Sequence, residues 1–348
     1  MRWRSIRNVA ASALVAGGLM DSPNTRKVER DILIVPACVA TLKDIKQVDQ
    51  ARVEATVQEI FKEMRVANRK KVEELLFRLV EELPVRSVVP GNEFFKELKD
   101  FSGVRMHVLI NTTSKKPRLV IEPFQSIQDP DSLVRGEEKV DDTANGTIVS
   151  LEGKVYLLTN FHVVEDYLPK AEVDSYNDRK TNLDIALIPL SEHHIPKGIV
   201  PIDLKSEKVG ESRPGIPFYI PGILPFAKTP ELKNIVVFNG LTIPLLSNMF
   251  INKDVPPEEV VDFLSGTVHQ DCILRFGRED YFPFGGHSGS GTYSLNGKLI
   301  GVFSVSIQLD LKDKYGNLIK FITYYPISQI LRAKDSRNIK ILDEKFFE

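Results

Sequence analysis

A serine among glycines, a histidine closing one apolar run and a carboxylate opening another occur in this chain, and these three residue types together can cleave an acyl bond. The serine is Ser288, within Gly285-Gly-His-Ser-Gly-Ser-Gly291. Glycines accept positive φ and leave little bulk, so their amides can be aimed at one point, where the oxygen of a carbonyl attacked by the hydroxyl would gather charge. Taken alone, the same string also fits a Gly/Ser hairpin turn. The histidine is His162, within Tyr156-Leu-Leu-Thr-Asn-Phe-His-Val-Val164. A hydroxyl is a weak nucleophile until a base takes its proton, and imidazole titrates near neutrality. A lone histidine in such a place reads as a structural one; this one has company. The carboxylate is Asp184, within Thr181-Asn-Leu-Asp-Ile-Ala-Leu-Ile188. Flanked by apolar residues, it is expected to be partly buried and to need a partner, and orienting an imidazole supplies one. Asp174 and Asp178 sit in a polar stretch and Asp166 closely follows the histidine, so these read as solvated charges.

The order His162, Asp184, Ser288 and the residues around each resemble the trypsin-like (chymotrypsin-fold) serine peptidases, in particular the bacterial HtrA and glutamyl-endopeptidase types. The resemblance is carried by Leu-Thr-Asn-Phe-His-Val-Val, Leu-Asp-Ile-Ala-Leu and Gly-His-Ser-Gly-Ser-Gly, and by Asn296-Gly-Lys-Leu-Ile-Gly-Val-Phe-Ser-Val-Ser306 after the serine. It spans residues 146–331 and leaves the first hundred unexplained. It implies a mostly β fold, a chymotrypsin-like double six-stranded β-barrel, with a cleft in which a serine endopeptidase hydrolyses peptide bonds through an acyl-enzyme. Ser288 would be the nucleophile, His162 the base and Asp184 its orienting partner. The amides of Gly286 and Ser288 would form the oxyanion hole, and Ser304, Val305 and Ser306 the wall along which a polypeptide substrate pairs. Such chemistry needs no cofactor and no metal. The alternative is a catalytically inactive trypsin-like fold acting as a binding or assembly module, which the presence of all three residues argues against.

Two departures narrow what the resemblance implies. His287 stands where animal digestive members carry an aspartate that pairs with a freed N-terminus, so that mode of activation is not expected. Phe303 stands where glutamate-specific members have a histidine, so glutamate specificity is not expected. Phe282 fits either the primary specificity pocket or plain core packing. No PDZ-like domain is expected after residue 331, only a charged tail.

The elements that must position these residues can be read from periodicity. From Gly146-Thr-Ile-Val-Ser150 onward, β-branched runs bounded by turn residues recur at Val155-Tyr-Leu-Leu158, Ile185-Ala-Leu-Ile188, Phe218-Tyr-Ile220, Ile235-Val-Val-Phe238, Cys272-Ile-Leu-Arg-Phe276, Leu299-Ile-Gly-Val-Phe-Ser304 and Ile322-Thr-Tyr-Tyr325. Val104-Arg-Met-His-Val-Leu-Ile110 and Arg118-Leu-Val-Ile121 precede them. These predict many short strands with few helices, the texture of an all-β sandwich or barrel pair. Residues 125–145, rich in Asp and Glu, predict an exposed loop. Residues 40–83 contain no Gly or Pro and repeat apolar residues at Val53, Val57, Ile60, Met64 and Ala67, then Val72, Leu75, Leu79 and Leu83. Steps of three and four predict one helix or two packed on the following domain, or a self-association helix.

Composition sets the outer bounds. The 348 residues include 46 basic and 47 acidic side chains, a formal net charge of -1, so no broad field is available for nucleic acid or an anionic membrane. No apolar run approaches the roughly 18 residues that a spanning helix needs. Cys38 and Cys272 are far apart in apolar contexts and read as buried thiols, with a single disulfide as the alternative. His193 and His194 lack a further ligand pattern and read as a surface loop. Arg2, Arg4 and Arg7 precede a short apolar run that resembles a secretory signal, pointing to a secreted or periplasmic protein. An organellar presequence or an amphipathic helix in a cytoplasmic protein fits the same residues. The expected division is a leader over 1–24, a helical region over 25–103, the peptidase over 104–336 and a charged tail over 337–348.

Overall fold

The computed structural model describes residues 49–66, 68–82, 102–124, 130–179, 181–212, 217–223, 235–243, 270–276, 287–294, 296–312 and 318–343. The leader, Cys38, Phe282 and Gly286 lie outside the described residues. The chain is mostly β, with a few helices.

The stripe in the first segment becomes two helices, α1 (Gln50–Arg65) and α2 (Arg69–Glu82). Val53, Val57 and Ile60 of α1 and Val72, Leu75, Leu76 and Leu79 of α2 are buried, so the period-3.6 face is the packed face. Each helix starts on a side-chain cap. Asp49 Oδ1 accepts the Arg52 amide at 3.1 Å and Asn68 Oδ1 accepts the Lys71 amide at 3.3 Å. The second cap explains why a run without Gly or Pro breaks after Arg65.

Seven strands form the first sheet: β1 (Gly103–Asn111), β2 (Pro117–Pro123), β3 (Glu138–Leu151), β4 (Lys154–Thr159), β5 (Ala186–Pro189), β6 (Ile202–Asp203) and β13 (Lys340–Ile341). The order is β13-β5-β4-β3-β1-β2, with β6 also paired to β3. Its inner face gathers Val104, Met106, Val108, Ile148, Leu157, Phe161, Ala186 and Ile188. Six more strands, β7 (Pro217–Ile223), β8 (Ile235–Ile243), β9 (Gln270–Phe276), β10 (Gly291–Ser294), β11 (Leu299–Lys312) and β12 (Leu318–Pro326), pair in the order β10-β11-β12-β9-β8-β7, and β10 pairs back to β7 to close the ring. A second apolar cluster joins the two: Val149, Leu158 and Leu187 from the first sheet, with Leu183 and Ile185 just before β5, meet Tyr293, Leu299, Val302 and Tyr325 from the ring. The chain segments that flank His162 and Asp184 are therefore packed against those that carry Ser288.

Two expectations change. Glu138 to Asn145, expected within an exposed loop, is the first half of β3, hydrogen-bonded along β1. The sequence reads as a loop there because several of its side chains face water and because Asp141 is the extra residue of a bulge, the register stepping from Val108↔Asp142 to Leu109↔Val140. The expected charged tail also re-enters the fold. Helix α4 (Ile327–Asp335) buries Ile327, Ile330 and Ala333, and the chain then turns into β13, which pairs in parallel with β5. A further helix, α3 (Lys170–Asn177), lies between the histidine and the aspartate in sequence.

The turn after α4 is a Schellman cap. The Asn338 amide donates to Ala333 O at 2.6 Å and the Arg337 amide to Lys334 O at 3.0 Å, with Arg337 itself at φ +59. Glycine is the residue this left-handed position favours. Arg337→Gly is therefore expected to raise stability by about 1 kcal/mol, seen as a higher midpoint in urea with an unchanged slope.

Candidate active site

Strand β4 delivers its last apolar residues to the core and then stops at Asn160, where the chain turns into one short 3-10 turn, Phe161–Val163. Phe161 and Val163 are buried, which leaves the intervening His162 facing the space between the sheet and the ring. Asp184 comes just before β5 and is 8% exposed. Ser288 sits on the turn that leads into β10. Gly289 follows it at φ +85, and its backbone is pinned on both sides: Gly289 N donates to Phe303 O at 3.1 Å, and Phe303 N donates to Ser290 O at 2.8 Å.

These placements bring the three predicted side chains into one hydrogen-bonded row. His162 Nδ1 lies 2.7 Å from Asp184 Oδ2, and His162 Nε2 lies 2.9 Å from Ser288 Oγ. Asp184 Oδ1 also accepts the His162 backbone amide at 2.9 Å, so the carboxylate grips both the ring and the peptide that carries it. A carboxylate can only accept, which puts the proton of a neutral imidazole on Nδ1 and leaves the Nε2 lone pair facing the serine. The arrangement can take a proton from Oγ while the hydroxyl attacks an electrophile. Nearby, desolvation by burial pushes the Asp142 carboxyl upward, against the Thr143 amide and the charge of a protonated His162, both of which favour its ionised form.

Ser304, expected along the substrate wall, turns its side chain inward. Its Oγ donates to Asp184 Oδ2 at 3.0 Å, and its carbonyl oxygen is 3.4 Å from Ser288 Oγ. Pairing between β11 and β12 steps from Phe303↔Tyr324 to Val305↔Thr323, so Ser304 is the extra residue of a bulge, and the bulge re-aims it. Val305 and Ser306 continue β11, with their backbones on the ladder to β12. The residues that hold Asp184 from behind were not singled out as site residues in the sequence. Asn160 Nδ2 donates to Asp184 O at 2.9 Å, and the Asp184 amide donates to Tyr325 Oη at 3.3 Å. Asn160 could have been suspected from the Thr-Asn pair that ends β4; Tyr325, 141 residues away, gave no local signal.

The serine turn rests on β3. The Asn145 amide donates to Ser288 O at 3.0 Å, and Thr159 Oγ1 donates to Asn145 O at 2.9 Å. A Cβ on Gly289 would fall inside contact distance of Asn145 O and Thr159 Oγ1, and the positive φ adds strain. Gly289→Ala is expected to cost about 2–4 kcal/mol, read as a lowered thermal midpoint together with loss of whatever reaction Ser288 performs.

Beside Asn145 on β1 is Arg105, 2% exposed, with Glu122 opposite on its other flank. His107 bridges Glu122 Oε2 and Thr143 Oγ1, each at 3.0 Å. Burial lowers the Arg105 pKa, and the Glu122 charge opposes that shift. The polar residues at 105 and 107 alternate within a largely apolar strand, a local sign in the sequence of a buried polar pair. His193 and His194 stand exposed on the 3-10 turn Glu192–His194, near Ser191 Oγ and apart from this row. Among the described residues no group of three or more His, Cys, Asp or Glu is arranged to hold a metal ion, and no helix is long and apolar enough to cross a membrane.

No family model and no curated relative matches this chain. Solved structures to which it is similar include serine proteases. An HtrA-type protease, AlgW with a tripeptide, is 15% identical with a TM-score of 0.33, over 70% of this chain and 62% of that one. A serine endoprotease from Yersinia pestis is 12% identical with a TM-score of 0.32, over 71% and 67%. A scabies mite inactivated protease paralogue is 12% identical with a TM-score of 0.34, over 69% and 96%. The chain thus spans under two thirds of the HtrA-type structure. Superposition this loose adds nothing to the roles of individual residues, which rest on the side chains described above.

Proposed function

We propose that this chain is a serine endopeptidase whose nucleophile is Ser288. The observation that carries the proposal is the unbroken row from Asp184 Oδ2 through both ring nitrogens of His162 to Ser288 Oγ, at 2.7 and 2.9 Å. In the proposed course Ser288 Oγ attacks the scissile carbonyl while its proton passes to His162 Nε2. Asp184 holds the imidazolium that results. Collapse of the tetrahedral adduct returns the proton from Nε2 to the leaving amine and leaves an acyl-enzyme, which water opens by the same steps in reverse roles. The oxyanion is assigned to the amides of Ser288 and of Gly286, the latter outside the described residues. A polypeptide substrate would pair along the backbone of residues 304–306.

The architecture belongs to the same proposal. The β7–β12 ring is one six-stranded barrel, the first sheet is the partner barrel, and residues from 104 onward make up the peptidase, with the helices before it as a separate supporting region. The segment 337–343 is counted with the peptidase because β13 pairs into the first sheet. The chemistry calls on no cofactor. No observation favours an inactive binding module, since all three side chains are present and in hydrogen-bond reach.

The test is to incubate the full chain with an unfolded protein and identify the new termini. Internal cuts that accumulate with enzyme concentration are the expected result. An intact substrate after prolonged incubation at neutral pH, with the enzyme still folded, would remove the proposal.

A further inference from the structure

Asp184 carries the orienting carboxylate, yet β5, the strand it introduces, is only four residues long. On one side β5 pairs with β4, at Thr159↔Ala186 and onward. What holds the other side arrives from more than 150 residues later. After the Schellman turn, Asn338 O accepts the Leu183 amide at 2.8 Å, the Lys340 amide donates to Ile185 O at 3.0 Å, and the Leu342 amide donates to Leu187 O at 3.0 Å. Two of these bonds lie immediately before and after Asp184. Ile339 and Leu342, each 5% exposed, anchor the segment in different apolar clusters, one in the core shared with the ring and one inside the first sheet.

Helix α3 adds a brace on the same residues. Tyr176 Oη donates to Leu183 O at 2.7 Å and is 3.3 Å from Asn338 O. Thr181 Oγ1 donates to Asn338 Oδ1 at 3.2 Å. The Tyr176 ring lies 4.3 Å from that of Phe161, the residue before His162, and Lys340 is ion-paired with Glu172 of α3. One hydroxyl therefore touches the peptide before the aspartate and the strap, while its ring touches the residue before the histidine.

We propose that residues 338–342, together with Tyr176, form a strap that positions Asp184 against His162. The inference rests on the peptidase reading of the site, and it concerns groups that touch neither substrate nor reacting atoms. A buried carboxylate that holds an imidazole with one oxygen and the backbone amide of the same residue with the other tolerates little displacement, and errors of about 1 Å in such groups cost about 100-fold in rate. The strap is also an edge strand two residues long, the kind of element that opens locally at low free energy. Its attachment therefore sets how much of the time the row is assembled.

The test uses Lys340→Pro in the full chain, which removes the amide that donates to Ile185 O, with Lys340→Ala as the control that keeps the amide and loses only the ion pair. Three quantities are read: kcat, KM, and the low-field proton resonance of the His162 Nδ1–H bound to Asp184. Lys340→Pro is expected to lower kcat by about 100-fold with KM nearly unchanged and to weaken or abolish the resonance, while Lys340→Ala keeps both. Parent-like kcat and resonance in Lys340→Pro overturn the strap and leave the peptidase reading standing. A parent that cleaves nothing, but whose resonance is lost on Lys340→Pro, does the reverse. Should the proline variant not fold, Tyr176→Phe removes only the hydroxyl and carries the same expectation at about tenfold, with unchanged kcat and resonance as the overturning result.

Discussion

Ser288→Ala is expected to lower kcat on a protein substrate by about 10⁴- to 10⁶-fold while leaving the fold in place. Its Oγ is the atom that would form the acyl bond, and no other hydroxyl in the described row can reach His162 Nε2 in its stead, because the Ser304 Oγ is turned to Asp184 at 3.0 Å. Folding depends on Ser288 mainly through its backbone, whose carbonyl accepts the Asn145 amide at 3.0 Å, and alanine retains that bond. The lost bond to His162 costs about 0.5–1.5 kcal/mol, a small share of a domain's stability. Near-unchanged unfolding alongside abolished cleavage, measured on the same preparation, is the expected pair of results. Cleavage at the parent rate would mean that another group is the nucleophile.

Asp184→Asn is expected to lower kcat by about 10⁴-fold, for a different reason. The Asp184 oxygens receive the His162 amide at 2.9 Å, His162 Nδ1 at 2.7 Å and Ser304 Oγ at 3.0 Å, all of them donors. An asparagine can accept on one side only and must aim an NH2 at one of these groups. With the NH2 facing Nδ1, the neutral ring carries its proton on Nε2 and has no lone pair to offer Ser288. A buried donor set against a donor also costs about 1–3 kcal/mol, so the midpoint of unfolding should fall as well. Rate and stability together separate this variant from Ser288→Ala, which should move mainly the rate. Binding of substrate is expected to survive both changes, since neither side chain would take part in the proposed pairing along β11.

The parts of the site legible in the sequence are those with a local signature. Thr-Asn-Phe-His after an apolar run, Leu-Asp before one, and a serine between glycines each report a strand end or a turn that presents one polar side chain. The fold's many strands and the two amphipathic helices were legible for the same reason, since periods of 2 and 3.6 are local properties. What escaped reading depends on partners distant in the chain. Glu138 to Asn145 is strand because β1 offers it a ladder, and no alternation in those residues announces it. Ser304 serves Asp184 because a bulge turns it inward, and Tyr325 reaches the Asp184 amide across 141 residues. Residues 338–342 read as a charged tail in the sequence, since Arg337 and Lys340 accompany only two buried apolar residues, Ile339 and Leu342. Arg105, Glu122 and His107 form a buried polar cluster that apolar patterning places correctly inside the sheet without revealing that they meet.

Reaction of the folded chain with a fluorophosphonate, followed by mapping of the modified peptide by mass spectrometry, tests the central claim most directly. Such a reagent captures a serine only where a base and an oxyanion site activate it. The expected result is one adduct per chain, on Ser288, absent from Ser288→Ala and strongly slowed in His162→Ala. A folded protein that takes up no reagent, or takes it up equally well after His162→Ala, would contradict the assignment of Ser288 as an activated nucleophile.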